Sequence, residues 1–421
     1  MSLSERDKKH IWHPLTQHKT SASPLAIVKA KGALLWDEDG NEYIDGIASW
    51  YTSMYGHCNE AITSRVAKQM QVLDQVVFSG FTHEPAVELS EKLIEILPDN
   101  QQKLFFSDNG STSVEIAIKM ALQFHFNKGE KKVAFLAFEE GFHGDTFGAM
   151  SVSGLSVYNG PFEGFSLEVY RIATPKGDNN KVVLKQLKSL VSEHAIAGFI
   201  YEPLVQGAAA MKMHDAEGLN SLLKHCKVNN VLTIADEVMT GFGKTGRNFA
   251  SEFMKIKPDI ICLSKSLTAG LVPMAITSCT QEIFDAFYSD KIAKGLFHGH
   301  TYTANPLACQ AAIAGIDLLN SSEIQENIKQ IIASHQTFAK RIKNNKKVIN
   351  IRQIGVIFAL DLNIEMERYG NLRNKLFTHF MKKGVFLRPL GNTIYILPSF
   401  IISKDQLTKI YDAIEDSFSL F

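Results

Sequence analysis

The chain has 421 residues, 45% of them hydrophobic and 21% charged, with 44 Lys plus Arg against 44 Asp plus Glu. This composition is globular and excludes a mainly disordered chain, a collagen or a coiled coil. A formal charge of zero leaves no basic excess for a nucleic-acid partner. The length suggests roughly two to three domains, with a core large enough to need no disulfide or metal staple.

Five cysteines, Cys58, Cys226, Cys262, Cys279 and Cys309, are scattered without a CxxC pair, as suits reduced thiols in the cytoplasm. Residues 1–10 lack the apolar core of a signal peptide. No run of about 18 apolar residues is present, so no membrane partner is expected.

In chain order, short apolar runs at 26–28, 32–36 and 42–44, with turn residues at 37–41, predict a small antiparallel sheet. From about residue 58 helical stretches alternate with nearly continuous apolar runs at 103–106, 133–137, 196–200, 231–235, 260–263 and 274–277. Strands buried on both faces read this way. Helical crossovers between them imply an α/β fold, a central mainly parallel sheet flanked by helices. A helix over 306–319 is followed by a long polar helical stretch. Apolar runs at 348–352, 356–361, 385–388 and 393–397 come next, with helices over 374–383 and at the C-terminus. The expected organisation is residues 1–55 and 301–421 as the two parts of a small α+β domain, and 56–300 as a large domain.

Three constellations carry chemistry. At 105–115 a strand runs into a polar turn and a helix, with Thr112 and Glu115 spaced as a capping box and Gly129 as the stop. Free N–H groups there can hold a phosphate, with Gly110 allowing close approach and Ser111 adding a hydroxyl; the segment can equally be a capped helix and nothing more. Next, Asp236 and Glu237 end a buried strand, at the sheet edge where α/β proteins bind ligands. Such acids either pair with a cation or cap a nearby helix. Finally, Lys265 follows another buried strand. Burial favours the neutral amine, a nucleophile for a carbonyl carbon, although a lysine at a strand end can also snorkel to water. Together the three match the handles of pyridoxal phosphate: N–H donors for its phosphate, an acid for its ring nitrogen and a lysine for its aldehyde.

Other motifs carry less. The strand at 233–237 and Gly241–Thr245 look like Walker fragments, but the P-loop glycine is replaced by Val238 and the halves are in the wrong order. His298 and His300, like His10 and His13, have no third ligand at metal-like spacing, so no metal is expected. His57 and Cys58 read as packing residues sooner than as a thiol nucleophile. The run 141–145 is a turn whose Phe142 could also stack on a flat ring.

The run Asp236-Glu-Val-Met-Thr-Gly-Phe-Gly-Lys-Thr-Gly246, followed by Ser264 and Lys265, resembles the signature of class III pyridoxal-phosphate aminotransferases, and the similarity extends from Trp12 to the C-terminal strands. The runs at 11–16, 49–51, 141–146, 297–301 and 387–391 resemble the branch of that family that converts 8-amino-7-oxononanoate to 7,8-diaminononanoate in biotin biosynthesis. The resemblance implies fold type I and a homodimer with its active sites at the interface. It implies small-molecule substrates, pyridoxal 5′-phosphate as cofactor and S-adenosylmethionine as amino donor, although some members use lysine. It assigns Lys265 to the covalent bond with the cofactor and Asp236 to the ring nitrogen. Gly110 and Ser111 would hold the phosphate, helped by Thr301 of the other subunit, and Phe142 would lie on the ring. Trp50 and Arg388 would take the acceptor chain and its carboxylate. Leu15 would line the donor pocket, and Gly299 and His300 would approach from the dimer partner. The family usually has Tyr at the positions of Leu15 and Phe142 and Arg at Lys244, departures that bear on the donor. Alternatives are another class III aminotransferase acting on ornithine, 4-aminobutyrate or another ω-amine, and a non-catalytic binding protein that keeps the fold.

Overall fold

The apolar runs of the middle of the chain form one seven-stranded sheet. Its order is Gln101–Ser107, Ala275–Thr280, Ile260–Leu263, Leu232–Asp236, Ile196–Tyr201, Ala134–Phe138, Val169–Ile172. The computed structural model describes residues 1–154, 160–364 and 371–421. All strands run the same way except Ala275–Thr280, which is antiparallel to both of its neighbours. The sheet is therefore mainly parallel, as expected. The edge strand Val169–Ile172 has no counterpart in the sequence reading, because three of its four residues are only half-buried and give no apolar run.

Burial explains the run pattern. Phe135, Leu136, Ile200, Ile234 and Ile261 are fully buried, since helices cover both sheet faces. The helix Gly110–Asn127 packs Ala117, Met120, Ala121 and Phe124 into this core. It stops at Lys128, with Gly129 at φ +79 taking the left-handed turn that an L side chain resists. The helix Pro306–Leu319, capped by Asn305, packs on the helices Glu60–Met70 and Glu84–Ile96.

Beside the two-stranded ribbon of Val205–Gln206 and Lys212–Met213, the described residues form two further small sheets. Ile27–Lys31, Leu34–Asp37 and Glu42–Asp45 pair antiparallel, and the C-terminal strand Val385–Phe386 joins them in parallel. Both chain ends thus enter one sheet. Asp37 shapes the intervening turn by accepting from the amides of Asp39 and Asn41 and from the Tyr43 hydroxyl. Val348–Ile354, Ile357–Leu362 and Thr393–Ile396 form a separate antiparallel sheet.

Candidate active site

Asp236 is the last residue of its strand and is buried, and the register places it beside Cys262 of the next strand. Its Oδ2 bonds Nδ1 of buried His143 at 2.7 Å, and its Oδ1 accepts the Val238 amide at 3.1 Å. The adjacent acid does the other job that the sequence left open. Glu237 accepts the Ala250 and Ser251 amides and the Thr240 hydroxyl, and so caps the short helix Ala250–Phe253; burial pushes its carboxyl up. Strand alternation sends the two side chains to opposite sides, one to the site and one to the scaffold.

Lys265 lies three residues beyond Cys262, at the start of a one-turn helix, Lys265–Thr268, with φ +50. A non-glycine residue in that conformation is strained, which is common where a side chain must be aimed. Its Nζ sits 5.0 Å from the centre of the Tyr51 ring. Burial lowers the ammonium pKa, and the charges of Asp236 and Glu202 oppose that shift. A second lysine, Lys244, is wholly buried and donates to the Gly241 carbonyl at 2.9 Å. Burial, then the charge of Lys265, hold it well below the ordinary lysine range.

The helix start at Gly110 opens on this same edge. A Cβ at Gly110 would lie 2.8 Å from Val238 Cγ1, so glycine lets the helix abut the loop after Asp236. The cap differs from the expected one. Asn109 is the N-cap and Thr112 its box partner, while Glu115 turns away to the loop at 146–149. Asn109 reaches the third amide of the helix first, so Thr112 falls inside the first turn. The Ser111 hydroxyl meets the Thr146 hydroxyl at 2.8 Å and receives the Thr146 amide at 3.0 Å.

Trp50 and Arg388 come together: the guanidinium carbon lies 4.8 Å from the Trp50 ring centre. Trp50 belongs to a left-handed turn in which four successive residues, Ala48, Ser49, Trp50 and Tyr51, have φ of +46, +51, +67 and +74. Each costs about 1–2 kcal/mol in that region. Buried Asp45 offsets the strain by accepting the Ile47 and Ser49 amides, and is itself held by His57 Nε2 at 2.9 Å. His57 is thus a turn anchor, not the partner of a thiol. Ser266, next to Lys265, donates to the Tyr51 carbonyl at 2.9 Å, which ties the turn to the lysine loop.

The remaining expected residues lie on the surface. Leu15 is 73% exposed, with φ +52. Phe142 is 44% exposed, and its amide is fixed by Glu202 Oε2 at 3.0 Å. Gly299 and Thr301 lie in a segment flanked by exposed Phe297 and Tyr302. His298 bonds Lys119, in the middle of the helix Gly110–Asn127 and away from its start, and the Thr301 carbonyl accepts from Gln75. His300 Nδ1 accepts the Tyr302 amide, and its Nε2 is buried without a partner. Among the described residues no group of three His, Cys, Asp or Glu is placed to hold a metal.

Sequence reasoning missed three contributors. Glu202 follows the strand Ile196–Tyr201 as Asp236 ends its own, which is the signal that could have found it. It accepts the Phe142 and Gly207 amides, and burial pushes its carboxyl to about 7. His143 and Asp45 show no sequence pattern of their own.

These residues fit pyridoxal phosphate. An acid, an amine and a helix start with a hydroxyl converge on one sheet edge, where the buried His143 Nε2 lacks a partner among the described residues. The class-III aminotransferase family model matches residues 16–418. The adenosylmethionine-8-amino-7-oxononanoate aminotransferase of Synechococcus elongatus is 41% identical, over 97% of this chain and 98% of that one. The protein of the same name from Staphylococcus aureus is 34% identical, over 96% and 94%. The crystal structure of the Methanocaldococcus jannaschii protein of that name superposes with a TM-score of 0.94 at 32% identity, over 99% and 98% of the two chains. An amine transaminase from an uncultivated Pseudomonas species, in PLP-bound form, gives 0.90 at 28% identity, over 97% and 98%. No helix among the described residues is long and apolar enough to cross a membrane. With its family model spanning nearly the whole chain and its acid, lysine and helix start in place, the chain belongs to the class-III aminotransferases, enzymes whose cofactor is pyridoxal 5′-phosphate.

Proposed function

We propose that the chain converts 8-amino-7-oxononanoate to 7,8-diaminononanoate for biotin synthesis, taking the amino group from S-adenosylmethionine. The observation that carries the acceptor is the Arg388–Trp50 pair, a cation for a carboxylate beside an aromatic wall for an alkyl chain. Relatives at 41% and 34% identity that bear this activity in their name support it. Leu15 and Phe142 offer no phenol hydroxyl, which favours lysine as the second reading of the donor.

Bound pyridoxal phosphate supplies an electron sink that makes a Cα–H bond of the amino substrate acidic. Asp236, fixed by His143 and the Val238 amide, places a negative charge where the ring nitrogen is to keep its proton. Lys265 would be the covalent anchor and, once free, the base that takes the Cα proton of the amino substrate and carries it to the carbon that held the cofactor's aldehyde oxygen. A neutral amine is required for that, and its burial favours one. Ser111 and the amides of its helix start hold the phosphate. Phe142 covers the ring from a backbone that Glu202 fixes. Two half-reactions alternate on one site, so the kinetics are ping-pong.

The reading extends to a homodimer in which Gly299, His300 and Thr301 complete the partner's site. Their position on an exposed, aromatic-flanked segment supports this. The holoenzyme is to be mixed with S-adenosylmethionine alone and with lysine alone, and the loss of yellow colour followed. Bleaching by S-adenosylmethionine and recovery on adding 8-amino-7-oxononanoate are expected. Bleaching by lysine only would replace the donor, and no recovery with the oxo-acid would overturn the acceptor.

A further inference from the structure

We infer that Glu115 is a positioning residue for the cofactor phosphate, acting through Thr146 on the Ser111 hydroxyl. The inference rests on the reading of Ser111 as a phosphate ligand. Glu115 lies about one turn beyond Ser111 on the helix Gly110–Asn127, so it reaches the phosphate only through another group.

The direction of each hydrogen bond follows from counting protons. Glu115 Oε1 accepts the Gly148 amide at 2.7 Å and the Ala149 amide at 3.1 Å. With two N–H donors aimed at it, this oxygen is also the acceptor for the Thr146 hydroxyl. The one proton of Thr146 is then committed to Glu115, and Thr146 Oγ1 can only accept. Ser111 Oγ already receives the Thr146 amide at 3.0 Å, so its own proton is the free member of the chain. That proton rests on Thr146 Oγ1, 2.8 Å away, and is the one that turns to an arriving anion. By holding Thr146, Glu115 thereby fixes the Ser111 oxygen between the Thr146 amide and hydroxyl, at the helix start.

Sterics hold the chain of bonds in place. A Cβ at Gly144 would fall 2.2 Å from Ser111 Oγ, and one at Gly148 would fall 2.2 Å from Glu115 Oε2. The loop at 144–148 can therefore lie directly on both side chains only because it carries glycine at these two points. Without the Glu115 oxygen, the Thr146 hydroxyl is no longer held against Ser111. The amides of Gly148 and Ala149 also lose their partner, and the Ser111 hydroxyl loses its fixed direction.

The test measures the dissociation constants of pyridoxal phosphate and of pyridoxal, which lacks the phosphate, by absorbance titration of cofactor-stripped protein. Ser111→Ala and Glu115→Ala should each weaken pyridoxal phosphate by roughly fivefold to tenfold, the size of one hydrogen bond, and leave pyridoxal unchanged. Glu115→Ala in the Ser111→Ala background should add nothing further. Glu115→Gln, which keeps the acceptor oxygen, should restore most of the affinity. If Glu115→Ala is not stable, Thr146→Val gives the same comparison, because it keeps the amide and removes only the relay hydroxyl. Equal weakening of both ligands, or full additivity with Ser111→Ala, would overturn the relay. Ser111→Ala without any phosphate-selective loss would instead remove the phosphate reading on which the relay stands.

Discussion

The carboxyl-terminal edge of the central sheet and the exposed segment around residues 297–302 meet different physical conditions. At the sheet edge the two acids are buried and the lysine half-buried, and each is answered within the chain: Asp236 by His143, Glu202 by two amides and Lys265 by the Tyr51 ring. Along 297–302, Phe297 is 71% and Tyr302 66% exposed, and the buried His300 Nε2 has no partner. Parallel-sheet edges are built by local chain geometry, so one chain can finish them. A segment whose aromatics face water calls for a second surface.

The sharpest way to probe the sheet edge is Lys265→Ala. Turnover should fall by at least about a thousandfold, since the covalent anchor and the proton carrier are lost together. Folding should persist, because the mutation removes a half-buried amine that forms no ion pair among the described residues. The protein should no longer be yellow or bleach with borohydride. Circular dichroism would separate this outcome from misfolding, and retained transamination would refute the role.

Arg388→Ala tests the acceptor pocket beside the sheet edge. A guanidinium–carboxylate pair contributes about 1.5–3 kcal/mol, so KM for the oxo-acid should rise roughly tenfold to a hundredfold with kcat little changed. The methyl ester of the same acid should show no such rise. An equal effect on acid and ester would mean that Arg388 supports Trp50 by packing alone.

The exposed segment is tested by complementation. Thr301→Glu places a carboxylate beside the proposed phosphate site and should abolish cofactor retention in the homodimer. A heterodimer of one Lys265→Ala chain and one Thr301→Glu chain, isolated with two affinity tags, should recover roughly half of the wild-type activity if Thr301 serves its partner, because one of the two sites is then free of both changes. Zero activity would place Thr301 in its own chain's site.

The same contrast explains what was legible in the sequence. Asp236 and Lys265 could be read because buried parallel strands are uninterrupted apolar runs, and a charged residue at their end stands out. The helix 306–319 was readable from its proline start and apolar periodicity. Glu115 was misread, because sequence spacing cannot tell a local cap from a contact made 31 residues away with Thr146. The left-handed turn at 48–51 was invisible, since Ala, Ser, Trp and Tyr have no preference for positive φ; contacts distant in sequence, such as that of Ser266, help to hold it together with buried Asp45. His143 was missed for a related reason. Its role depends on a 2.7 Å contact with a residue 93 positions later.

Glu202, also at the sheet edge, gives the smallest effect. Its Oε2 fixes the amide of Phe142, whose ring is half-exposed. Burial raises its carboxyl from the ordinary 4.5 to about 7. The folded state therefore binds the proton more tightly than the unfolded chain, and stability present below about pH 4.5 declines as the pH rises through 7, by at most on the order of 3 kcal/mol. Glu202→Gln removes that decline. It also leaves one of two amides, at Phe142 or Gly207, facing an NH2 group, at a cost of about 1–3 kcal/mol. In urea melts of cofactor-free protein, wild type should be the more stable at pH 4.5, and the gap should narrow toward pH 8. Parallel curves would show that Glu202 stays charged throughout, held by its two amides and by His143 against the pull of burial.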